Sequence, residues 1–451
     1  VIALALSLAM SATLDAAEED ALFSDSTVLE PPSAAAPASD SVKGTQVRLG
    51  GEMDVLGQGS WKRDPVFPGG GEGAVRLVGS ANLDIRLAGG QRALAVFEVA
   101  HEGGPDTTSW ALREMFLDAD IGGRVWFRAG KQVLQWGRGI LWTPTDLVNV
   151  EGRSLVERPG AREGATGLKV QVPFGTGASL VAFAPLRRVD ASDSLSLSVR
   201  GEFLLGDAEL AVSSWFKKDQ PHVVGLDGSR RILGLDAQAG VLWLSGDLKP
   251  RAVLREGAWH LERDDERGQV RASGGLGRSF KAGGKPDRVR LDIEGFWQSE
   301  VGASEALVDR QQRPYADTIW RELDPRIREG INSLDLQGLD LAIPRGIPLG
   351  RGDGLTFLAG HGLFVPNQVA SAYLGAMASV MDVFRPDVTV VVQALSNLDD
   401  LSGLGTFGVR WESLHGFHVQ PIAYLFWGDE HEEFTLDGRG FALELRSGLR
   451  F

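Results

Sequence analysis

A chain of 451 residues with no cysteine, 58 glycines and a formal net charge of −14 excludes several classes of protein at once. Without cysteine there is no disulfide, no thiolate metal site and no thiol nucleophile, and the excess of acid argues against a nucleic-acid binder, which needs a basic surface for phosphate. Beyond the extreme N-terminus no apolar run approaches the roughly 18 residues of a membrane-spanning helix, so any crossing of a membrane must be made with strands.

The opening VIALALSLAM, followed by small residues around Ala16 and Ala17, reads as a secretory signal over residues 1–17. Its basic leading region is missing, as though the sequence began inside the signal. Residues 18–45, with EPPSAAAPASDS at their centre, are rich in Pro, Ala, Ser and acids and are expected to be a disordered periplasmic lead-in. Residues 46–451 then read as one architecture.

From Gln46 onward the dominant signal is alternation with a period of two. A barrel wall in lipid requires an apolar residue at every second position and accepts polar ones between. In QVRLGGEMDVL, Arg48, Glu52 and Asp54 alternate with Val47, Leu49, Met53 and Val55; in VRLVGSANLDIRL, Asp84 and Arg86 alternate with Leu83, Ile85 and Leu87. In LREMFLDADI, Glu114, Phe116 and Asp118 are placed inward because Met115, Leu117 and Ala119 suit lipid, which leaves Arg113 on the outward parity. Arg124, Arg128 and Gln132 fall inward on the strand that follows, so arginines stand opposite carboxylates on neighbouring strands. Structural ion pairs and a charge-selective constriction both need these residues, and both readings stay open.

After Gly137, the segment RGILWTPTDLVNVEGRSLVERPG loses its alternation and is long for a loop, with Trp136, Trp142, Asp146 and Asn149 as its conspicuous side chains. It can fold into the lumen and narrow it; an external cap over the mouth is the blander and preferred reading. Further alternating runs follow in LSLSVRGEF and DVTVVVQAL. In RVRLDIEGFWQ, Arg288, Arg290, Asp292 and Glu294 interleave with Val289, Leu291, Ile293 and Trp297. TFGVRWE carries Arg410 and Glu412, and GFALELRSGLRF carries Glu444 and Arg446 against Phe441, Leu443, Leu445, Leu449 and Phe451.

Short connections, LAGGQ, DIGG, PFGTG, LLGD, LSGD and FRPD, alternate with longer ones, the longest spanning about Gly57 to Ala74, Val133 to Glu163 and Gly302 to Glu329. The fold class expected is therefore all-β, a transmembrane antiparallel β-barrel of about 18–20 strands with short periplasmic turns and long extracellular loops. A barrel of that width is too wide for its own side chains to fill, so it encloses a channel or a plug. The final Phe451, on an alternating strand, resembles the signal read by the barrel-assembly machinery.

One stretch is more specific. LREMFLDADIGGRVWFRAGKQVLQWGRGILWTPTDLVN, residues 112–149, resembles the signature of porin-like proteobacterial outer-membrane barrels: L-R-E-x-x-L-D, a tight turn, G-K-Q-x-x-x-W-G and T-D-x-x-N. The alginate-export barrels are similar in appearance. The resemblance implies a location in the outer membrane of a Gram-negative bacterium, with membrane lipid and lipopolysaccharide as surroundings, and a channel for small polar or anionic solutes. The alternatives are an export conduit for polysaccharide or lipid-like cargo, docking periplasmic partners, and a non-conducting receptor or structural barrel. No solute is implied.

Catalytic and metal motifs are absent. There is no G-x-S-x-G, H-E-x-x-H, P-loop or strand-to-helix G-x-G-x-x-G, so neither an enzyme nor a cofactor is expected. His361 lies on the apolar parity of its strand with no serine motif to serve. His415 and His418 have a metal-like spacing only on a helix, and at a strand start they read as structural. The acidic run DEHEE, residues 429–433, lacks the spacing of a calcium loop and reads as a solvated tip.

Overall fold

A computed structural model describes residues 44–62, 72–103, 108–134, 136–148, 164–186, 195–248, 251–255, 258–299, 370–413, 416–429, 432–435 and 439–451. Its strands are β1 (Gln46–Lys62), β2 (Glu72–Arg86), β3 (Arg92–Glu102), β4 (Thr108–Ile121), β5 (Val125–Gln132), β6 (Ala165–Phe174) and β7 (Ala178–Pro185). There follow β8 (Ser196–Leu205), β9 (Ala208–Lys217), β10 (Val223–Ile232), β11 (Leu235–Leu244), β12 (Arg251–Arg255), β13 (Ala258–Glu262), β14 (Gln269–Ala282) and β15 (Lys285–Gln298). The last are β16 (Ala372–Val380), β17 (Val388–Asn397), β18 (Gly403–Glu412), β19 (Phe417–Trp427) and β20 (Arg439–Arg450).

Eighteen of these strands form one antiparallel sheet in which each pairs with its neighbours in sequence and β20 returns to β1, from Glu52↔Arg450 to Lys62↔Arg439, closing the barrel. The remaining pair, β12 and β13, makes a separate hairpin. It lies in the connection from β11 to β14, so LSGD, expected to be a tight turn, instead opens a long excursion. No helix among the described residues is long and apolar enough to cross a membrane.

The reason these residues make a barrel is visible in their exposure, which inverts that of a soluble protein. On the outer face Leu226, Ile293 and Leu445 are 54%, 56% and 52% exposed, whereas the inward Asp227, Glu294 and Arg446 are 2%, 3% and 1% exposed. Exposed apolar side chains recur on the outer face of strands right round the wall, among them Met53, Phe97, Leu117, Leu210, Val241, Leu374 and Phe407. A contiguous apolar belt of that extent is not tolerated in water and is the surface a hydrocarbon phase requires.

The two ends differ. At one end the turns are short: Gly122 and Gly123 adopt φ of 61° and 64°, which glycine reaches without strain, and Asp120 accepts the Gly123 N–H at 2.7 Å. At the other end the connections range from five residues, as in 103–107 and 218–222, to the long stretches 133–164, 245–268 and 299–371. β1 and β2 run further than expected, to Ser60↔Glu72, so only residues 63–71 separate them. Residues 1–43 and the connection Gly302–Glu329 lie outside the described residues.

Candidate functional site: a charged lumen and an inward-folded segment

The inner wall of β2–β5 is a ladder of ion pairs. Asp84 accepts from Arg92 Nε at 2.9 Å and from Arg86 at 3.3 Å. Asp118 takes both Nε and Nη2 of Arg128, at 2.6 and 2.8 Å, and the Arg128 guanidinium lies 3.9 Å over the Phe116 ring. These arginines keep contact with solvent: the side chains of Arg92, Arg113 and Arg128 are 32%, 24% and 27% exposed.

Arg113 departs from its expected outward parity. The β3–β4 register slips between Val96 and Phe97, where Val96 faces Glu114 and Phe97 faces Leu112. The extra residue is a β-bulge, which re-aims a side chain by breaking the alternation. Arg113 thereby reaches the inward Glu98, donating from Nε and Nη2 at 2.8 Å each. Its neighbour Glu114 accepts the backbone N–H of Val133 at 2.8 Å, at the point where the chain leaves the wall.

That departure begins at fully buried Gln132, whose amide donates to the carbonyls of Arg128 and Gly167 at 3.3 and 3.4 Å. Residues 136–148 fold into the barrel, not over its mouth as preferred from the sequence. Glu294 on β15 is the main anchor, accepting the backbone N–H groups of Ile140, Leu141 and Trp142 at 2.8, 3.0 and 2.8 Å. On the opposite flank Ser198 on β8 donates to Leu147 O at 2.9 Å, and Arg138 pairs with Glu209 on β9 and, at 3.4 Å, with Asp227 on β10. Asp227 also receives both terminal nitrogens of Arg200, at 2.6 and 2.8 Å, while Arg200 Nε donates to Glu202 at 2.9 Å.

The inside of the wall is shaped to receive this segment. Trp136 and Leu147 join Val181, Phe183, Trp215, Val223, Leu242 and Leu244 in an apolar cluster. Trp142, fully buried, packs on Phe296 and Tyr373, each with ring centroids 6.1 Å away. Glycines supply the clearance. A Cβ on Gly225 would stand 3.1 Å from Thr145, and one on Gly375 would overlap Leu141 and lie 3.2 Å from the Trp142 ring. Asp146 is buried within the segment, and Asn149 lies outside the described residues.

The remaining candidates divide between lumen and rim. Arg290 pairs with Asp292 on its own strand at 2.7 Å, and Arg410 with Glu412 at 2.7 Å. Arg288 donates to the Met381 and Asp382 carbonyls near the short-turn end. Arg48 is exposed on the stretch of β1 that precedes the β20 pairing, in register with Asp84 on β2, and Arg124 is exposed in the turn between β4 and β5 at the short-turn rim.

Arg446 and Glu444 are buried where the barrel closes. Asp54 on β1 accepts Arg446 Nη2 on β20 and contacts His418 Nε2 on β19, both at 2.8 Å. Glu52, Asp54 and His418 come close enough to consider a metal. Arg446 on Asp54 and Arg450 on Glu52, at 3.4 Å, already supply the balancing charge, so the group reads as an ion-pair network joining the first strand to the last two. His361 and His415 lie outside the described residues.

The acidic run is not solvated throughout as expected: Asp429 is exposed, but its far end is not. Glu432 and Glu433 are buried, with Glu433 accepting from Tyr373 Oη at 2.9 Å and Asn397 Nδ2 at 2.8 Å. Residues missed at the sequence level are Arg138, Lys169, Arg200, Glu209 and Asp227. Lys169, Arg200, Glu209 and Asp227 have the parity of recognisable strands, but Arg200 meets Asp227 two strands away, Glu209 is paired by Arg138 on the inward segment, and Lys169 makes no ion pair among the described residues.

No family model matches the chain, and no curated protein matches it. Solved structures share its fold at low identity. OccK8 (OprE) of Pseudomonas aeruginosa is 10% identical with a TM-score of 0.52, over 90% of this chain and 98% of that one. A BenF-like porin from Pseudomonas fluorescens Pf-5 is 9% identical with a TM-score of 0.52, over 90% and 98%. OccK9 (OpdG) of Pseudomonas aeruginosa is 8% identical with a TM-score of 0.52, over 90% and 99%. This chain, an 18-stranded barrel, is thus similar in fold to these porin-type structures.

Proposed function

We propose that this chain is a porin-like channel in the outer membrane of a Gram-negative bacterium, passing small polar or anionic solutes. One observation carries the reading: the inward segment is anchored on β8–β11, β15 and β16, while the arginines of the facing β3–β5 wall stay in contact with solvent. A barrel too wide to be filled is thereby narrowed, and its remaining wall is lined by charge. Narrowing selects by size. The arginine row favours anions, because its guanidiniums reach water while Asp84 and Glu98, the carboxylates paired with Arg92 and Arg113, are less exposed than they are. The BenF-like protein that shares this fold is itself a porin. The apolar belt meets membrane lipid, and assembly proceeds through β20 and the Phe451 that follows it. No catalytic group and no cofactor enters this function.

The test is conductance of the purified barrel alone in a planar bilayer, with swelling of proteoliposomes in sugars and amino acids of increasing size. Steady conductance and size-limited swelling support a channel that needs no partner. A barrel that inserts and conducts nothing overturns the proposal in favour of a partner-dependent export conduit or a closed structural barrel.

A further inference from the structure

One charge in the lumen is placed against the logic of the wall. Around β3 to β6 a single row of registered positions reads Arg92, Asp118, Arg128, Lys169. The first three alternate in sign, and the fourth does not. Lys169 stands directly opposite Arg128, and like charges facing each other across neighbouring strands are unfavourable.

The carboxylates nearest to it are already engaged elsewhere. Besides Arg128, the charges acting on Lys169 are Asp118 and Glu202. Asp118 is held bidentately by Arg128, and Glu202 is taken by Arg200 and by Ser179, whose hydroxyl donates at 3.1 Å. On the β7 side the residue in register with Lys169 is Phe183, fully buried in the apolar cluster beneath the inward segment. Among the described residues Lys169 makes no ion pair, and it is half-buried. A wall built only for stability would carry a carboxylate here, which would pair with Arg128.

The neighbour of Lys169 toward the long-loop end is Gly167, where a Cβ would stand 2.5 Å from the Phe183 ring. Lys169 therefore sits at the edge of the cluster that the inward segment packs against, where the lumen is narrowed. We infer that Lys169 is the docking point for the anionic group of a solute in transit, a single carboxylate or an ion of that size, with Arg128 beside it raising the local positive potential. The inference rests on the channel reading and names the residue that sets its preference for anions.

The test compares the wild type with Lys169→Gln, Lys169→Glu and Lys169→Arg in a planar bilayer, by reversal potential in a KCl gradient and by inhibition of the chloride current with acetate. The expected result is a several-fold fall in the anion-to-cation permeability ratio for Lys169→Gln, inversion for Lys169→Glu and near wild-type behaviour for Lys169→Arg. Acetate inhibition should weaken in step. Heat-modified mobility on gels checks that each variant is folded, which removal of a cation facing Arg128 favours. A folded, conducting Lys169→Gln barrel with wild-type selectivity overturns this inference and leaves the channel reading intact; a wild type that conducts nothing overturns both.

Discussion

Replacing Glu294 by alanine should release the inward segment and widen the passage. Its carboxylate accepts three backbone N–H groups, from Ile140, Leu141 and Trp142, within 3.0 Å. A hydrogen bond to a charged group contributes about 1.5–3 kcal/mol, so three together supply at least about 4 kcal/mol, a factor of about a thousand in the docking equilibrium. Opposing release are the buried Trp142 ring and the Arg138 pairs, which hold the same segment from the other flank. Alanine leaves the three donors without their acceptor. Glutamine keeps one carbonyl oxygen and should release the segment less.

The assay uses the absence of cysteine from the chain. A single cysteine introduced at Leu141 is a unique probe: its modification by a membrane-impermeant maleimide should be slow with Glu294 present and at least tenfold faster in Glu294→Ala. Single-channel conductance and the size limit for liposome swelling should rise together. Unchanged modification, conductance and size limit in a folded Glu294→Ala barrel would refute the reasoning that Glu294 holds the segment in place.

Replacing Arg446 by methionine strands buried Asp54, and breaking a buried pair costs about 3–5 kcal/mol; the barrel should lose its folded mobility on gels at a lower temperature, while a wild-type transition would mean that the closure network contributes nothing. The parity of β15 is tested by Ile293→Lys, which puts a cation on the outer face at a cost of about 2–4 kcal/mol if the site lies at mid-bilayer, measured by refolding into lipid vesicles. Enlarging Gly225 to valine should push Thr145 away and shift the inward segment, read as faster modification of the cysteine probe at Leu141. At the short-turn rim, Trp411 Nε1 donates to Asp387 at 2.6 Å, and this bond, helped by Arg385, holds the Asp387 carboxyl below the usual carboxylate range. Stability from that pair is present above the unfolded value and is lost as pH falls through the lower folded value. The indole N–H resonance of Trp411 should therefore stay constant until pH drops below the ordinary carboxylate range, and a transition within that range would contradict the assignment.

Much of the wall was legible because the side-chain period of a strand is two and the two faces meet different media. That is why Asp84, Asp118, Arg128, Asp292, Glu294 and Arg446 could be placed inward from their neighbours alone, and why Met53, Ile293 and Leu445 could be placed outward. Alternation carries no information where it is interrupted. The bulge at Arg113 reverses a face locally, and no composition signal separates it from an ordinary strand residue.

Tertiary structure alone decided the partners and the path of residues 136–148. Asp54 and Arg446 lie 392 positions apart and meet because the sheet closes. Glu294 could be read as inward, but its use as the acceptor for a backbone segment 152–154 residues away depends on where that segment goes. The segment enters the lumen because Gly225, Gly240 and Gly375 leave room on an arc of the inner wall, from β10 through β11, β14 and β15 to β16, that only the folded sheet assembles. Local pattern determines the face a residue takes, through its solvent; the contacts made across the lumen depend on closure, which no local window contains.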